Sequence, residues 1–87
     1  MKSVLYVSVA DPDVGTDAIK AIVSHSQRRN QADGITGIML YNGSNFLQLI
    51  EGEADVINAC YARIQSDPRH SGVVTLRDQP IDEREFP

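Results

Sequence analysis

The chain has 87 residues, of which 41% are hydrophobic and 23% charged, and its formal net charge is −4. This length and composition predict one globular domain, and the acidic balance, without a stretch rich in lysine or arginine, argues against a nucleic-acid partner. A single cysteine excludes an internal disulfide framework and the absence of an apolar run of about 18 residues argues against a membrane partner, so we predict a cytoplasmic protein.

The first predicted elements are a strand and a helix. Ser3–Val9 places apolar residues on both faces, which is typical of a strand that is covered on both sides. Asp11-Pro12-Asp13 ends this strand, and Thr16 is predicted to cap a helix that runs to about Gln31, before Gly34.

A hairpin follows the first helix. Ile35–Tyr41 is predicted to be the second strand, and Asn45–Ile50 the third. Asn42-Gly43 lies between them, and this dipeptide is the strongest short-range hairpin signal. The two strands therefore pair antiparallel.

A second helix and a fourth strand complete the predicted fold. The helix covers about Ala54–Ser66 and ends at Asp67-Pro68, the strand covers Gly72–Arg77, and Pro80–Pro87 is predicted to be an irregular tail. The order β-α-β-β-α-β indicates an α+β, ferredoxin-like sandwich with two helices on one face of an antiparallel sheet. Right-handed crossovers in this fold place the first and third strands side by side.

Two polar residues lie in these neighbouring strands. Tyr6 is in the first strand and Gln48 is in the third. A buried polar group costs roughly 1–3 kcal/mol if it is left unpaired, so we expect the phenol and the amide to form a hydrogen bond in the core. Such a pair is unusual in a small domain and indicates a function.

Polar residues also interrupt the apolar face of the first helix. The stripe that begins at Ile19 and Ile22 continues at Ser26 and Asn30. These two residues can have a functional role. A purely structural interpretation is equally acceptable, in which Asn30 caps the helix and Ser26 bonds back to a carbonyl group.

The end of the second helix carries a further polar set. An exposed Arg63–Asp67 ion pair and a solvated His70 are the simpler interpretations of these residues taken alone. Together with the tyrosine–glutamine pair and the polar half of the first helix, they predict a cavity between the helices for a flat heteroaromatic ligand with a charged or sugar-bearing tail. Three residues are predicted to form its apolar walls: Ile22, Val23 and Val56.

These residues occur in segments that resemble the BLUF domain, the blue-light sensor using FAD. The resemblance extends from residue 3 to residue 87, and it implies a photoreceptor rather than an enzyme, with a non-covalent flavin (FAD, or alternatively FMN) between the two helices over the sheet. Five segments carry it: Tyr6-Val7-Ser8, Ser26-Gln27-Arg28-Arg29-Asn30, Gly34-Ile35-Thr36-Gly37, Phe46-Leu47-Gln48-Leu49-Ile50-Glu51-Gly52 and Asp67-Pro68-Arg69-His70.

The resemblance also implies roles for individual residues, none of them catalytic or metal-binding. Tyr6 donates an electron and then a proton to the excited flavin, while Gln48 bridges the phenol and the flavin and rearranges. Asn30 holds the pyrimidine-like edge of the ring, with Ser26 nearby. The remaining matches are an aliphatic wall and the positions around the ring and the ribityl-phosphate end: Ile22, Arg63, Asp67 and His70.

The chain departs from the family pattern in two places. Arg29 stands where members commonly have a second asparagine. The next strand of the family carries a tryptophan and a methionine, whereas this chain has no tryptophan and its methionines are Met1 and Met39. We therefore expect the C-terminal strand of the family to be missing or truncated here, with more effect on signal transmission than on photochemistry.

Three other functions compete with a BLUF sensor. A LOV-type sensor needs a cysteine in an Asn-Cys-Arg motif, and Cys60 has no such context. An acylphosphatase-like enzyme needs an arginine in a phosphate-cradling loop, and Ala10–Gly15 has none. A regulatory module that binds flavin or another small ligand without photochemistry remains the alternative, although it leaves Tyr6 and Gln48 unexplained.

The output of such a sensor requires another partner. We expect the signal to pass to a downstream protein or an effector domain. The sheet face away from the helices is predicted to serve as a partner surface or to form a homo-oligomer through Leu5, Val7, Leu47 and Leu49.

Overall fold

The structure, a computed structural model, describes residues 1–10, 15–67 and 70–86. Residues 11–14, 68, 69 and 87 lie outside the described residues, and with them the predicted break at Asp11-Pro12-Asp13. The predicted β-α-β-β-α-β sandwich is confirmed. In the described ranges, no helix combines the length and the apolar character that crossing a membrane requires. The elements are β1 (Lys2–Ala10), α1 (Thr16–Ala32), β2 (Thr36–Tyr41), β3 (Asn45–Gly52), α2 (Ala54–Ser66) and β4 (His70–Pro80).

The four strands form one antiparallel sheet in the order β2-β3-β1-β4. β1 and β3 are therefore the central pair, as the right-handed crossovers predicted. Their register runs without a break from Lys2 opposite Gly52 to Val9 opposite Asn45. A slip of one residue would move every apolar side chain to the other face, so burial of one face fixes this register.

The core lies between the sheet and the helices in two clusters. One joins β1 and β3 to α2, and its largest side chains are Tyr6, Ile50 and Ile57. The other joins the opposite end of the same strands to α1 through Ile22 and Phe46. The division leaves room between the clusters, and the candidate site is located there.

The ends of some elements differ from the predictions. Thr16 is the first residue of α1 rather than its cap, because the N-cap position is Gly15, which offers no side-chain hydrogen bond. β4 is longer than predicted and includes Pro80, so the irregular tail begins at Ile81. Pairing with β1 continues as far as Lys2 opposite Pro80, and an edge strand tolerates proline because its outer side needs no ladder bond.

Gly37 sets the spacing between β2 and β3. It pairs with Ile50, its φ is 152°, and a Cβ atom there would lie 1.8 Å from the carbonyl oxygen of Leu49. No side chain fits at that distance. The close approach of these two backbones therefore depends on glycine.

The sheet face away from the helices is less exposed at its centre than predicted. Leu49 is buried, and Leu5, Val7 and Leu47 are half-buried. Side chains on central strands have neighbours on both sides, whereas those on outer strands have them on one. The more exposed residues opposite them on the outer strands are Ile38, Leu40 and Val74, at 44%, 54% and 53%.

Candidate ligand site between the helices

A cavity of about 160 Å³ lies between α1 and α2 over the sheet. Seven of the residues for which the resemblance implied a role line it. These residues are Tyr6 on β1, Gln48 on β3, Ile22, Ser26 and Asn30 on α1, Arg63 on α2, and Asp67 directly after α2. The side chain of His70 lies outside the described residues, so its role stays a prediction.

The predicted tyrosine–amide pair is present on the sheet side of the cavity. Tyr6 and Gln48 are directly opposite in the β1–β3 register, and they are 0% and 7% exposed. The phenol O–H of Tyr6 donates a hydrogen bond to Oε1 of Gln48. Because this oxygen accepts from Tyr6, the amide N–H groups are what Gln48 can offer to a ligand.

The environment of Tyr6 keeps its phenol protonated. Burial raises the pKa of Tyr6 well above that of a free phenol, and the ionisable groups of Cys60 and Tyr61 raise it further. The Tyr61 ring lies against it, with centroids 5.2 Å apart and the planes tilted by 45°. Tyr6 is therefore a neutral hydrogen-bond donor throughout the physiological pH range.

Asn30 has separate roles for its backbone and its side chain. Its carbonyl oxygen accepts a hydrogen bond from the N–H of Ile35 at 2.8 Å, where the chain leaves the helix. The C-cap position of α1 belongs to Asp33, so the capping interpretation of Asn30 was wrong. Its side chain lines the cavity, and its Oδ1 accepts from the Sγ of Cys60 at 4.0 Å.

A small charge cluster lies at the rim of the cavity. Arg63 pairs with Asp33 at 3.5 Å, and Arg29 approaches the same carboxylate oxygen at 4.0 Å. Asp33 was not predicted as a partner of Arg63, and it lies there because the end of α1 is beside the last turn of α2. All three side chains are at least 36% exposed, so these ion pairs contribute about 0–1 kcal/mol each. The guanidinium groups can therefore turn to an anionic ligand at little cost.

Several residues of the site were not predicted from the sequence. Met39 and Ile64 form apolar wall where Val23 and Val56 had been expected. The hairpin register could have revealed Met39, because it is opposite Gln48. The other unpredicted residues that line the cavity are His25 and Arg29 on α1 and Cys60 on α2.

The donor set of this cavity fits a flavin. The amides of Asn30 and Gln48 match the alternating carbonyl and N–H groups along one edge of an isoalloxazine ring. Ile22 and Met39 would supply apolar contact for its faces, and the guanidinium group of Arg63 at the rim suits a ribityl-phosphate tail.

Comparisons with known proteins agree with this chemistry. The chain is similar to photoactivated adenylate cyclase subunit beta of Euglena longa, with 37% identity over 87 residues that are 100% of this chain and 10% of that protein. It resembles the dark-state structure of the BLUF protein BlrB, with a TM-score of 0.92 and 37% identity over 99% of this chain and 65% of BlrB. Klebsiella pneumoniae BlrP1 with FMN and cyclic diGMP matches 95% of this chain and 22% of its own, with a TM-score of 0.87 and 36% identity.

The chain thus spans about a tenth of the length of the cyclase subunit that it matches. The family model for BLUF, sensors of blue light using FAD, matches residues 1–87. The fold, the buried tyrosine–glutamine pair and this match lead to one conclusion. The chain belongs to the BLUF family of blue-light sensors, whose cofactor is a flavin.

Proposed function

We propose that this domain senses light through Tyr6 and Gln48 while a flavin occupies the cavity between α1 and α2. The observation that carries the proposal is the buried hydrogen bond from the Tyr6 phenol to Oε1 of Gln48 in the cavity wall. A fully buried phenol paired with an amide beside an open polar cavity has no evident structural need.

Different residues of the cavity bind different parts of the cofactor. Asn30 and Gln48 hydrogen-bond the polar edge of the ring, with Ser26 nearby, and Ile22 contacts its face. Arg63 and Asp67 hold the tail of FAD or FMN, and His70 is proposed to join them. When bound, the flavin absorbs blue light and accepts an electron, and this photochemistry belongs to the cofactor.

Tyr6 supplies the electron and then its hydroxyl proton. Loss of that proton removes the donor from Oε1 of Gln48, and a buried amide oxygen without a donor costs roughly 1–3 kcal/mol. Gln48 can recover a hydrogen bond by rotating its amide or by tautomerising, since it carries both donor and acceptor groups. The electron and the proton then return to Tyr6, and the amide stays rearranged. It presents a different group to the cavity, so the absorption of a bound flavin would shift slightly with no net change in oxidation state.

The test is an absorption spectrum of FAD-loaded protein before and after blue light. We expect a small, reversible red shift in the wild type and no shift in Tyr6→Phe and Gln48→Leu. Tyr61→Phe is a matched control, because Tyr61 contacts the Tyr6 ring and is not among the residues that line the cavity. A shift that survives in Tyr6→Phe would contradict the proposal.

A ligand-binding module without photochemistry is the competing function. Its specific support is that the cavity suits other flat heteroaromatic molecules equally well. Protein that binds flavin tightly and shows no spectral change in light would favour it.

We also propose that the domain has no catalytic activity of its own and signals to a downstream protein or an effector domain in the cytoplasm. Among relatives, the Euglena protein is named as a cyclase subunit and BlrP1 was solved with cyclic diGMP, which supports an effector partner. The free thiol of Cys60 suits a reducing compartment.

The apolar sheet face supports self-association as well. Exposed aliphatic side chains on its outer strands, Ile38, Leu40 and Val74, could pair with the same face of a second copy in a two-fold dimer. Sedimentation that shows only monomer in darkness and in light would contradict a homo-oligomer.

A further inference from the structure

A second buried polar group lies on β3, three residues beyond Gln48. Glu51 is 0% exposed, and among the described residues no lysine, arginine or histidine forms an ion pair with its carboxylate. Carboxylates are rarely buried without compensation. Hydrogen bonds supply it here, and most of them come from the C-terminal end of the described chain.

Residues 81–86, which we call the strap, provide these hydrogen bonds. The N–H of Glu85 donates to Oε2 of Glu51 at 2.9 Å, and the N–H of Phe86 donates to Oε1 at 3.0 Å. The hydroxyl of Thr36 on β2 is a longer contact at 3.4 Å. The carboxylate therefore binds the main chain of the strap.

Further bonds fix the strap at both ends. The N–H of Ile81 donates to the carbonyl oxygen of Met1 at 3.0 Å, just before β1. Arg84 donates through Nη1 to the carbonyl oxygen of Glu51 at 3.0 Å and to Oγ1 of Thr36 at 2.8 Å. The strap thus begins beside β1 and ends on β2 and β3.

Glu51 and Gln48 lie on opposite faces of the same strand. Successive side chains of a strand alternate between faces, so three steps place Glu51 on the face away from the cavity, about 10 Å along β3. Its strand neighbours are Ser3 on β1 and Thr36 on β2. The strap therefore covers the outer face at the end of the strand that carries Gln48.

We propose that the strap conveys the change at Gln48 to the outer face of the sheet and that Glu51 is its latch. The inference rests on the function proposed above. Donor–acceptor distances of 2.9 and 3.0 Å are near the optimum for N–H···O bonds, which weaken as they lengthen or bend. Met1 holds the start of the strap, whereas Arg84 ties its end to β3. A shift of β3 by a few tenths of an ångström relative to β1 therefore changes the lengths and angles of the two N–H···O bonds to the carboxylate.

The latch has no alternative arrangement. An ionised carboxylate only accepts hydrogen bonds and a backbone N–H only donates them, so a displaced strap must give its N–H groups to water. Light is therefore expected to loosen residues 85 and 86 and to leave the central β1–β3 ladder intact.

The first test measures amide hydrogen exchange by NMR in darkness on FAD-loaded, full-length protein. Glu51→Gln replaces one acceptor oxygen with an N–H₂ group that opposes a backbone N–H, so exchange at residues 85 and 86 should rise about tenfold or more. Glu53→Gln is the matched control, because Glu53 is exposed two residues away. Unchanged exchange in Glu51→Gln would overturn the latch.

Arg84→Gln keeps the buried carboxylate intact and provides a second variant if Glu51→Gln does not fold. It removes the guanidinium bonds to Glu51 and Thr36 from an exposed position, and should raise the same exchange rates several-fold. Equal rates in Arg84→Gln and in the wild type would also count against the strap.

The second test repeats the exchange measurement under blue light and records the absorption spectrum of the same sample. Exchange at residues 85 and 86 should rise several-fold in the wild type and stay constant in Gln48→Leu. A red shift with constant exchange would overturn the strap and leave the proposed function intact. Absence of the red shift would overturn both, so the two failures can be distinguished.

Discussion

Gln48 and Glu51 are both buried polar residues of β3, but their partners differ in kind. Gln48 bonds the side chain of Tyr6 and faces a cavity, whereas Glu51 bonds backbone N–H groups of the strap. An amide has donor and acceptor ends that can exchange, and a carboxylate has only acceptors. The first group can therefore switch between two satisfied arrangements, and the second can hold only one.

This difference shows how one strand can carry both a switch and a fixed point. Central placement between β2 and β1 keeps β3 in register, so a rearrangement of the Gln48 side chain can shift the backbone only slightly. A small displacement of the β3 backbone then changes the hydrogen bonds between Glu51 and the strap. Four experiments, in order of decreasing expected effect, would test the roles of these buried groups and of the cavity rim.

Gln48→Glu would test whether the amide itself is needed. A carboxylate at position 48 still accepts a hydrogen bond from Tyr6, but it has no donor to exchange, so the red shift should be lost completely. The measurement is the light-minus-dark absorption spectrum of FAD-loaded protein. A retained shift would mean that Gln48 does not switch by exchanging its donor and acceptor ends.

Glu51→Leu and Gln48→Leu would compare the two groups as structural elements. Removing the carboxylate leaves two backbone N–H groups without acceptors, and we expect the free energy of unfolding to fall by about 2–4 kcal/mol. Gln48→Leu leaves one phenol without an acceptor and should cost about 1–3 kcal/mol. Urea unfolding of the apoproteins measures both, and the reverse order would contradict the distinction between anchor and switch.

The pH dependence of stability would test how firmly the proton of Tyr6 is held. The pKa of Tyr6 is raised in the folded state, so below a pH of about 10 both states keep the proton, and above it the unfolded state loses the proton first. Stability should therefore fall with rising pH by up to about 1.4 kcal/mol per unit more steeply than in Tyr6→Phe. Urea unfolding between pH 8 and 11 gives the slope of stability against pH for both proteins. Equal slopes would show that folding does not raise the pKa of Tyr6.

Asp33→Asn should have the smallest effect. It removes the shared partner of Arg29 and Arg63 at an exposed position, so the free energy of unfolding should change by less than about 1 kcal/mol. The free guanidinium groups should tighten the binding of FMN more than that of riboflavin, which lacks the phosphate. Fluorescence titration of both flavins checks this, and equal changes would exclude a role of the rim in binding the tail.

The sequence predicted what depends on local pattern and on the order of elements. Tyr6 and Gln48 could be paired because strand order alone makes β1 and β3 neighbours. The bounds of α2 were predicted at Ala54–Ser66, because Asp67-Pro68 follows directly. The role of His70 stays a prediction.

Other features depend on how the ends of elements meet in space. Asp33 pairs with Arg63 because the end of α1 lies beside the last turn of α2, and a spacing rule within one helix favoured Asp67 instead. The pattern predicts an irregular tail but not the hydrogen bonds of the strap, because a backbone N–H group has no signature in the sequence. Glu51 carried a clue, since an acidic residue follows the apolar run of β3 directly, but its partners in the strap lie more than thirty positions away.

The short distance between β2 and β3 at Gly37 restricts which residues can be selected at this position. With the Leu49 carbonyl 1.8 Å from where a Cβ atom would lie, every substitution must push β2 away from the strand that carries both Gln48 and Glu51. A saturation library selected only for folded protein should therefore retain glycine at this codon. Met39, two residues further along the same strand, should accept other apolar side chains of similar volume.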